Sequence, residues 1–286
     1  MITTSRAITR EANSKDLSKL ANLIHFEAFV HRHLDYRPPL DWLGQKPFLI
    51  LEANDRVEGA LACPPDPPEV AWIRLFATTS HISPGYAWTT LWSEALAKLT
   101  ADKRVRYIGA IPLYVWFESL LKKSGFEQTH EIVMLNRDTL TSPDESPRPQ
   151  VAIRPMTLDD LKEVQSIDHA SFSPIWVNSL NYLKIAFQQA LVATVAEYGG
   201  EMVGYQISTS TPIGGHLARL AVKPNLQGQG IGYAMVYDLI HQLTRRGART
   251  ITVNTQKDNQ ASLSLYKRAG FVLTGEEYSI FQLQSF

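Results

Sequence analysis

The sequence predicts an α/β protein built from two consecutive copies of one fold, each a mixed β-sheet flanked by helices. The first observation behind this is internal similarity. A shift of 145 positions, with no gap, sets Ala7-Ile8 on Ala152-Ile153, Glu52 on Glu197, Gly59 on Gly204 and Arg74-Leu75 on Arg219-Leu220. The same shift sets Ser119-Leu120, Lys122 and Gly125-Phe126 on Ser264-Leu265, Lys267 and Gly270-Phe271, and Thr129 and Glu131 on Thr274 and Glu276. Similarity at one offset over most of a chain marks a duplication. The second observation is that β-like apolar runs alternate with helical patterns in both halves. The third is the stretch DTLTSPDESPRPQ from Asp138 to Gln150, with three prolines and no periodicity, which reads as a linker. The expected domains are residues 1–140 and 151–286, joined by residues 141–150.

The order of elements is clearest in the second half. Strands are expected at Val151 to Pro155, as a pair between Leu191 and Ser210, at His216 to Val222, at Thr250 to Asn254 and from Val272 to Leu283. Helices are expected at Leu158 to Ala170, Gly230 to Arg246 and Asn259 to Ala269. Gly199-Gly200 marks the hairpin turn, because both residues accept positive φ without penalty, and Asn54-Asp55 holds the same place in the first half. Met235, Val236, Leu239, Ile240 and Leu243 recur at helical spacing, with Arg245 and Arg246 at the C-terminal end and Gly247 as the cap.

Composition narrows the functional classes. The 286 residues are 44% apolar, enough for two cores, and 28 Lys plus Arg balance 28 Asp plus Glu. No basic field argues for nucleic acid or an anionic membrane. No apolar run reaches the roughly 18 residues of a spanning helix, and MITTSRAITR has no signal-peptide core. Cys63 is the single cysteine, so no intramolecular disulfide can form. A cytoplasmic location is expected, with no nucleic-acid or membrane partner.

The chemistry concentrates between Leu220 and Gly232, which reads LAVKPNLQGQGIG: a β-like run, a proline break, then a glycine-spaced turn feeding a helix. A helix N-terminus presents unpaired N-H groups and a partial positive charge, and glycines let the backbone close around phosphate oxygens. Gln227, Gly228, Gln229, Gly230, Ile231 and Gly232 would form such a diphosphate cradle.

Gln227-x-x-Gly230-x-Gly232, preceded by Leu220-Ala221-Val222 and Pro224, resembles the acetyl-CoA signature of the GNAT superfamily of N-acyltransferases. The second element of that family's pattern follows from Ile251 to Phe271: a β-run, then Asn259, then a helix carrying Tyr266 before Gly270-Phe271. The resemblance implies a tandem GNAT protein, two splayed sheets, and an N-acetyltransferase with acetyl-CoA as cosubstrate and no metal. It implies that Leu220, Ala221 and Val222 bond the pantetheine arm through their backbone, while their side chains serve the core. Tyr266 is the candidate proton donor to the leaving thiolate, or an aromatic filling a helix face. Asn259 bonds the cofactor, caps the helix, or does both.

His216 is the candidate general base, since it begins the strand where the histone-acetylating branch of the family carries a glutamate, and histidine titrates near neutrality. A loop role is the alternative, and Glu197, Tyr205 and Glu276 are rivals. Arg219, recurring as Arg74, reads as a structural ion-pair partner. SFSPIW, from Ser171 to Trp176, resembles the acceptor-lining segment of the branch that acetylates protein N-termini, and its aromatic residues could equally close the core. The acceptor is an amine, on a small molecule or a protein N-terminus.

The first copy lacks the chemistry. Ile82 stands for Gln227, Ser83 for Gly228, Ala87 for Gly232, Tyr114 for Asn259 and Leu121 for Tyr266, and Pro84 removes a donor beside the surviving Gly85. The reading is therefore an acetyltransferase active in its second domain, with a noncatalytic acyl-CoA-binding or sensing protein as the alternative.

Overall fold

The computed structural model describes residues 7–139 and 151–284, so the expected linker at 141–150 falls outside the described residues. Two compact units emerge, one of Met1–Thr129 with Ser279–Phe286 and one of His130–Tyr278. The division thus falls before residue 140, and the chain's last strand is shared out between the units.

Unit 1 runs β1 (Ile8–Glu11), α1 (Leu17–Phe26), β2 (Phe29–Arg32), β3 (Phe48–Ala53), β4 (Arg56–Ala62), β5 (Val70–Trp72), β6 (Leu75–Thr78), α2 (Pro84–Ala101), β7 (Tyr107–Ala110), α3 (Val115–Lys123) and the start of β8 (Phe126–Asp138). Its strands β1-β3-β4-β6-β2 make one antiparallel array, while β5 pairs in parallel with β7. The other edge of β7 is taken by the chain's end, with Phe281 opposite Ala110 and Gln282 opposite Gly109.

Unit 2 continues with β9 (Ala152–Pro155), α4 (Leu161–Ser171), α5 (Leu180–Gln188), β10 (Val192–Tyr198), β11 (Glu201–Thr211), β12 (Gly214–Val222), α6 (Ile231–Arg245), β13 (Thr250–Gln256), α7 (Gln260–Arg268) and β14 (Val272–Leu283). Antiparallel pairing links β9-β10-β11-β12, β12 meets β13 in parallel, and residues 132–138 of β8 close the far side of β13. Helix α6 follows its predicted stripe: Met235, Val236, Leu239, Ile240 and Leu243 are all buried. Gly199 and Gly200 carry φ of 60° and 83°, and Asn54 and Asp55 carry 49° and 61°, the conformations a tight hairpin turn demands. Helix α5 has no counterpart in the sequence-based expectation, because its nine residues are too few for a decisive helical period.

Ion pairs expose the duplication and correct its register. Arg10 bonds Glu52 at 2.8 Å and both oxygens of Asp16 at 2.8 Å; Arg154 bonds Glu197 at 2.7 Å and Asp160 at 2.8 and 2.9 Å. Ile8 lies opposite Glu52, and Ala152 opposite Glu197. The glutamates obey the 145-residue shift, whereas the arginines and aspartates sit one residue off it. The ungapped alignment therefore fails through the first strand and the start of the first helix, because the second copy carries one residue more between Asp160 and Glu197 than the first carries between Asp16 and Glu52. Each triad ties the first strand and first helix to the hairpin, which is an architectural role for Glu197 rather than a catalytic one. Both hairpins carry a bulge at the same place, opposite Leu51/Glu52 and Ala196/Glu197.

Candidate active site

Strand β12 has two different edges. Along one it pairs with β11 throughout, with Leu220, Ala221 and Val222 opposite Gln206, Tyr205 and Gly204. Along the other it pairs with β13 only from Gly214 to Leu217. Beyond Leu217 the two strands part, leaving the Leu220–Val222 edge without a ladder partner among the described residues. Unpaired main-chain groups in a cleft are ready hydrogen-bonding sites.

The glycine-spaced loop stands at the end of that cleft. Gly228 and Gly230 have φ of 76° and 84°, a region other residues enter only with strain. Gly230 caps α6 with no side-chain hydrogen bond, and the amides of Gly228 to Gly232 donate to no acceptor among the described residues. Five consecutive free donors at a helix N-terminus fit a diphosphate, so acetyl-CoA suits the residues present. Gln227 plays a different part: its Nε2 donates to the Val222 carbonyl at 3.0 Å, which also accepts from Ser171 Oγ at 3.1 Å. The Gln227 side chain thus braces the loop against its own strand. Gly232 has a packing reason as well, since a Cβ there would lie 2.9 Å from Leu265 of α7.

Tyr266 lies on α7 with its ring buried against Phe271, at a centroid distance of 5.8 Å. Burial raises its hydroxyl above the usual phenol range, and that hydroxyl bonds nothing among the described residues. It is a protonated donor without a partner. Asn259 caps α7, its Oδ1 accepting from the Ser262 amide at 3.0 Å, which places its carbonyl on the helix.

His216 sits on the part of β12 still paired with β13, opposite Thr252, and its Nδ1 lies 2.9 Å from Thr252 Oγ1. Burial lowers its pKa below 6.5, so it is neutral at pH 7. Of the rivals, Glu197 is engaged by Arg154, Glu276 is exposed and accepts from Tyr278 at 3.2 Å, and the buried Tyr205 hydroxyl is bonded to Asp168 at 2.5 Å. Desolvation raises Tyr205 well above its ordinary value.

The structure reveals a centre that sequence reasoning missed. Asp168, fully buried on α4, accepts from Arg219 Nε at 2.8 Å, the Tyr205 hydroxyl and the Asn178 amide at 2.8 Å. Arg219 in turn donates to the Trp176 carbonyl at 2.5 Å, and its guanidinium carbon stands 3.5 Å over the Phe172 ring. One buried ion pair therefore pins the segment from Phe172 to Asn178 to β12. The available signal was a charge beside the apolar stripe Leu161, Val164 and Ile167, which by itself reads as surface. No helix among the described residues is long and apolar enough to cross a membrane.

A splayed strand feeding a glycine loop and helix has the architecture of the GNAT fold. Residues 161–271 match the acetyltransferase (GNAT) family model, so the second unit is a GNAT domain. Across nearly its whole length the fold is that of a tandem GNAT protein from the clavulanic acid biosynthesis pathway, with a TM-score of 0.65, 14% identity and 97% of each chain covered. A GCN5-related N-acetyltransferase from Sphaerobacter thermophilus gives 0.64 at 16% identity, covering 96% of this chain and 95% of that one. Among curated relatives, the spore coat polysaccharide biosynthesis protein SpsD of Bacillus subtilis is 34% identical over 90 residues, 32% of this chain and 31% of its own. The [ribosomal protein bS18]-alanine N-acetyltransferase of Escherichia coli is 33% identical over 72 residues, 25% of this chain. The match spans 49% of that enzyme's length.

Proposed function

We propose that the second unit transfers an acetyl group from acetyl-CoA to a primary amine by direct attack. The observation that carries this reading is the row of five unpartnered amides, Gly228 to Gly232, at the end of the Leu220–Val222 cleft. Acetyl-CoA supplies the activated thioester. The loop amides bind its diphosphate, with Ile231 and Gly232 opening the helix and Gln229 contributing only its backbone. Leu220, Ala221 and Val222 orient the pantetheine arm and polarise the thioester oxygen through the main chain. Tyr266 returns a proton to the departing sulfur, and His216, neutral and held through Nδ1, accepts the amine's proton at Nε2. The acceptor, an amine on a small molecule or a protein N-terminus, enters past Phe172 and Trp176; a curated relative that is a [ribosomal protein bS18]-alanine N-acetyltransferase supports the second class.

In the same reading the first unit is a degenerate copy. Ser83 Oγ accepts from the Tyr86 amide at 3.2 Å and Pro84 opens α2, so that helix end offers fewer donors. Phe76, Trp116 and Phe117 stand where the 145-residue shift gives Ala221, Ala261 and Ser262. Phe76 packs against Trp88 at 5.2 Å and against Trp116 and Phe117 at 6.0 Å. Aromatic side chains thus pack together in the first unit at positions where the second copy carries small residues.

Thiol release from acetyl-CoA across a panel of amines and N-terminal peptides tests the reading; no release with any acceptor, despite binding, would favour the noncatalytic alternative. Gly230→Pro fixes φ near −65° where 84° is required and should weaken acetyl-CoA binding by about tenfold or more. Unchanged affinity by calorimetry in a folded variant would move the cradle elsewhere. If His216 is the base, kcat/KM falls as pH drops through a value below 6.5, where the imidazole protonates, and His216→Ala erases that limb. A retained limb would remove His216 from the reaction.

A further inference from the structure

Unit 1 contains a cavity of about 430 Å³ between α1, the start of β4 and the segment after β6. Among its lining residues Glu58 is a carboxylate only 8% exposed, beside the equally buried Thr79. Glu58 is the bulged residue of the β3–β4 hairpin, passed over between the pairs Leu51–Gly59 and Glu52–Val57. A bulge turns a side chain off the ordinary alternation of the strand. Unit 2 has the same bulge, and the residue there is Val203, 1% exposed in an apolar cluster with Ala196 and Val222. The duplicated position therefore tolerates an apolar residue, and in unit 1 it holds a carboxylate instead.

A largely buried carboxylate needs partners for its oxygens, from the protein or from what fills the cavity. Oε2 of Glu58 accepts from Thr79 Oγ1 at 2.5 Å and faces His81 Nδ1 at 3.4 Å. Oε1 has no partner among the described residues. The cation on α1, Lys19, is engaged elsewhere, at the Asp55 carbonyl (2.7 Å) and Glu52 (3.6 Å). Glu27 brings a second carboxylate to the wall, held by the Ser80 amide at 3.0 Å. Leu23, Val57 and the largely exposed Phe26 supply apolar surface.

We propose that this cavity binds a small organic ammonium ion, its N-H groups directed at Glu58 Oε1 and its carbon skeleton lying on Leu23, Val57 and Phe26. Arg56 also lines the cavity, and its side chain makes no hydrogen bond or ion pair among the described residues, so a ligand that carries a carboxylate as well gains a second anchor. The site belongs to unit 1 and does not depend on the acyltransferase reading of unit 2.

The test is a thermal-shift and calorimetric titration of the full chain with ethylamine, glycinamide and glycine at constant ionic strength, beside Glu58→Val and Glu58→Gln. Glu58→Val installs the residue of the sister copy, and Glu58→Gln keeps the shape and loses the charge. Saturable binding by the wild type is expected, weakened at least tenfold in both variants, with thiol release at unit 2 unchanged. Glycine binding more tightly than ethylamine and glycinamide identifies a zwitterion, and the reverse identifies a simple amine. Absence of saturable binding to the wild type, or equal binding by the folded variants, overturns the proposal.

Discussion

Replacing Tyr266 by phenylalanine lowers turnover by about 100-fold while the dissociation constant for acetyl-CoA stays within about twofold, the magnitude expected on removing one positioned proton donor. The separation is possible because the ring and the hydroxyl do different things. The ring is packed against Phe271 in the α6–α7 core, and phenylalanine preserves that packing. The hydroxyl bonds nothing among the described residues, and burial holds it protonated at every pH at which the protein is folded near neutrality. Its removal therefore leaves no orphaned partner and little effect on stability. Steady-state kinetics with a competent amine, alongside calorimetry of cofactor binding, gives both quantities. A loss confined to binding would make Tyr266 structural, and a loss of stability would show that the hydroxyl has a partner after all.

Truncating Phe281 to alanine destabilises unit 1 by about 3–5 kcal/mol, the usual range for removing a fully buried phenylalanine from a packed core. Phe281 is 0% exposed and lies in the cluster that holds Ile108, Ala110, Leu121 and Phe126, although it stands five residues from the chain's end. Terminal residues commonly tolerate change, so a large effect here is diagnostic. Chemical denaturation followed by the tryptophans, all but one of which belong to unit 1, should report the loss directly. A change within about 0.5 kcal/mol, the range of ordinary surface substitutions, would contradict the placement of the last strand.

The same strand decides how the protein can be divided. A fragment ending near Arg137 lacks Ser279–Phe286, and a fragment beginning at Val151 lacks residues 132–138, which flank β13. Each piece cut at the proline-rich stretch is missing a strand of its own sheet. Activity assays on the isolated halves would then report on broken sheets as much as on chemistry, so point variants in the full chain are the better probes.

The sequence by itself determined the duplication, the α/β alternation and the loop-helix at Leu220 to Gly232. These are local or repeated signals: periods of two and three to four residues, glycine at turns, and similarity at one offset. Helix α6 and both hairpin turns are legible for that reason. Only the tertiary structure decided the features that join residues far apart. Asp168 and Arg219 are 51 positions apart, and their pairing turns one apparently exposed charge into the anchor of the Phe172–Asn178 segment. The one-residue offset of the first strand shows only when Arg10 and Arg154 are seen holding equivalent partners. Gln227, read as part of the cradle, braces it through Val222, and Gly232 makes room for Leu265. Burial and long-range pairing depend on which surfaces meet in space, and a carboxylate such as Glu58 has the same local pattern whether water or a protein cavity surrounds it.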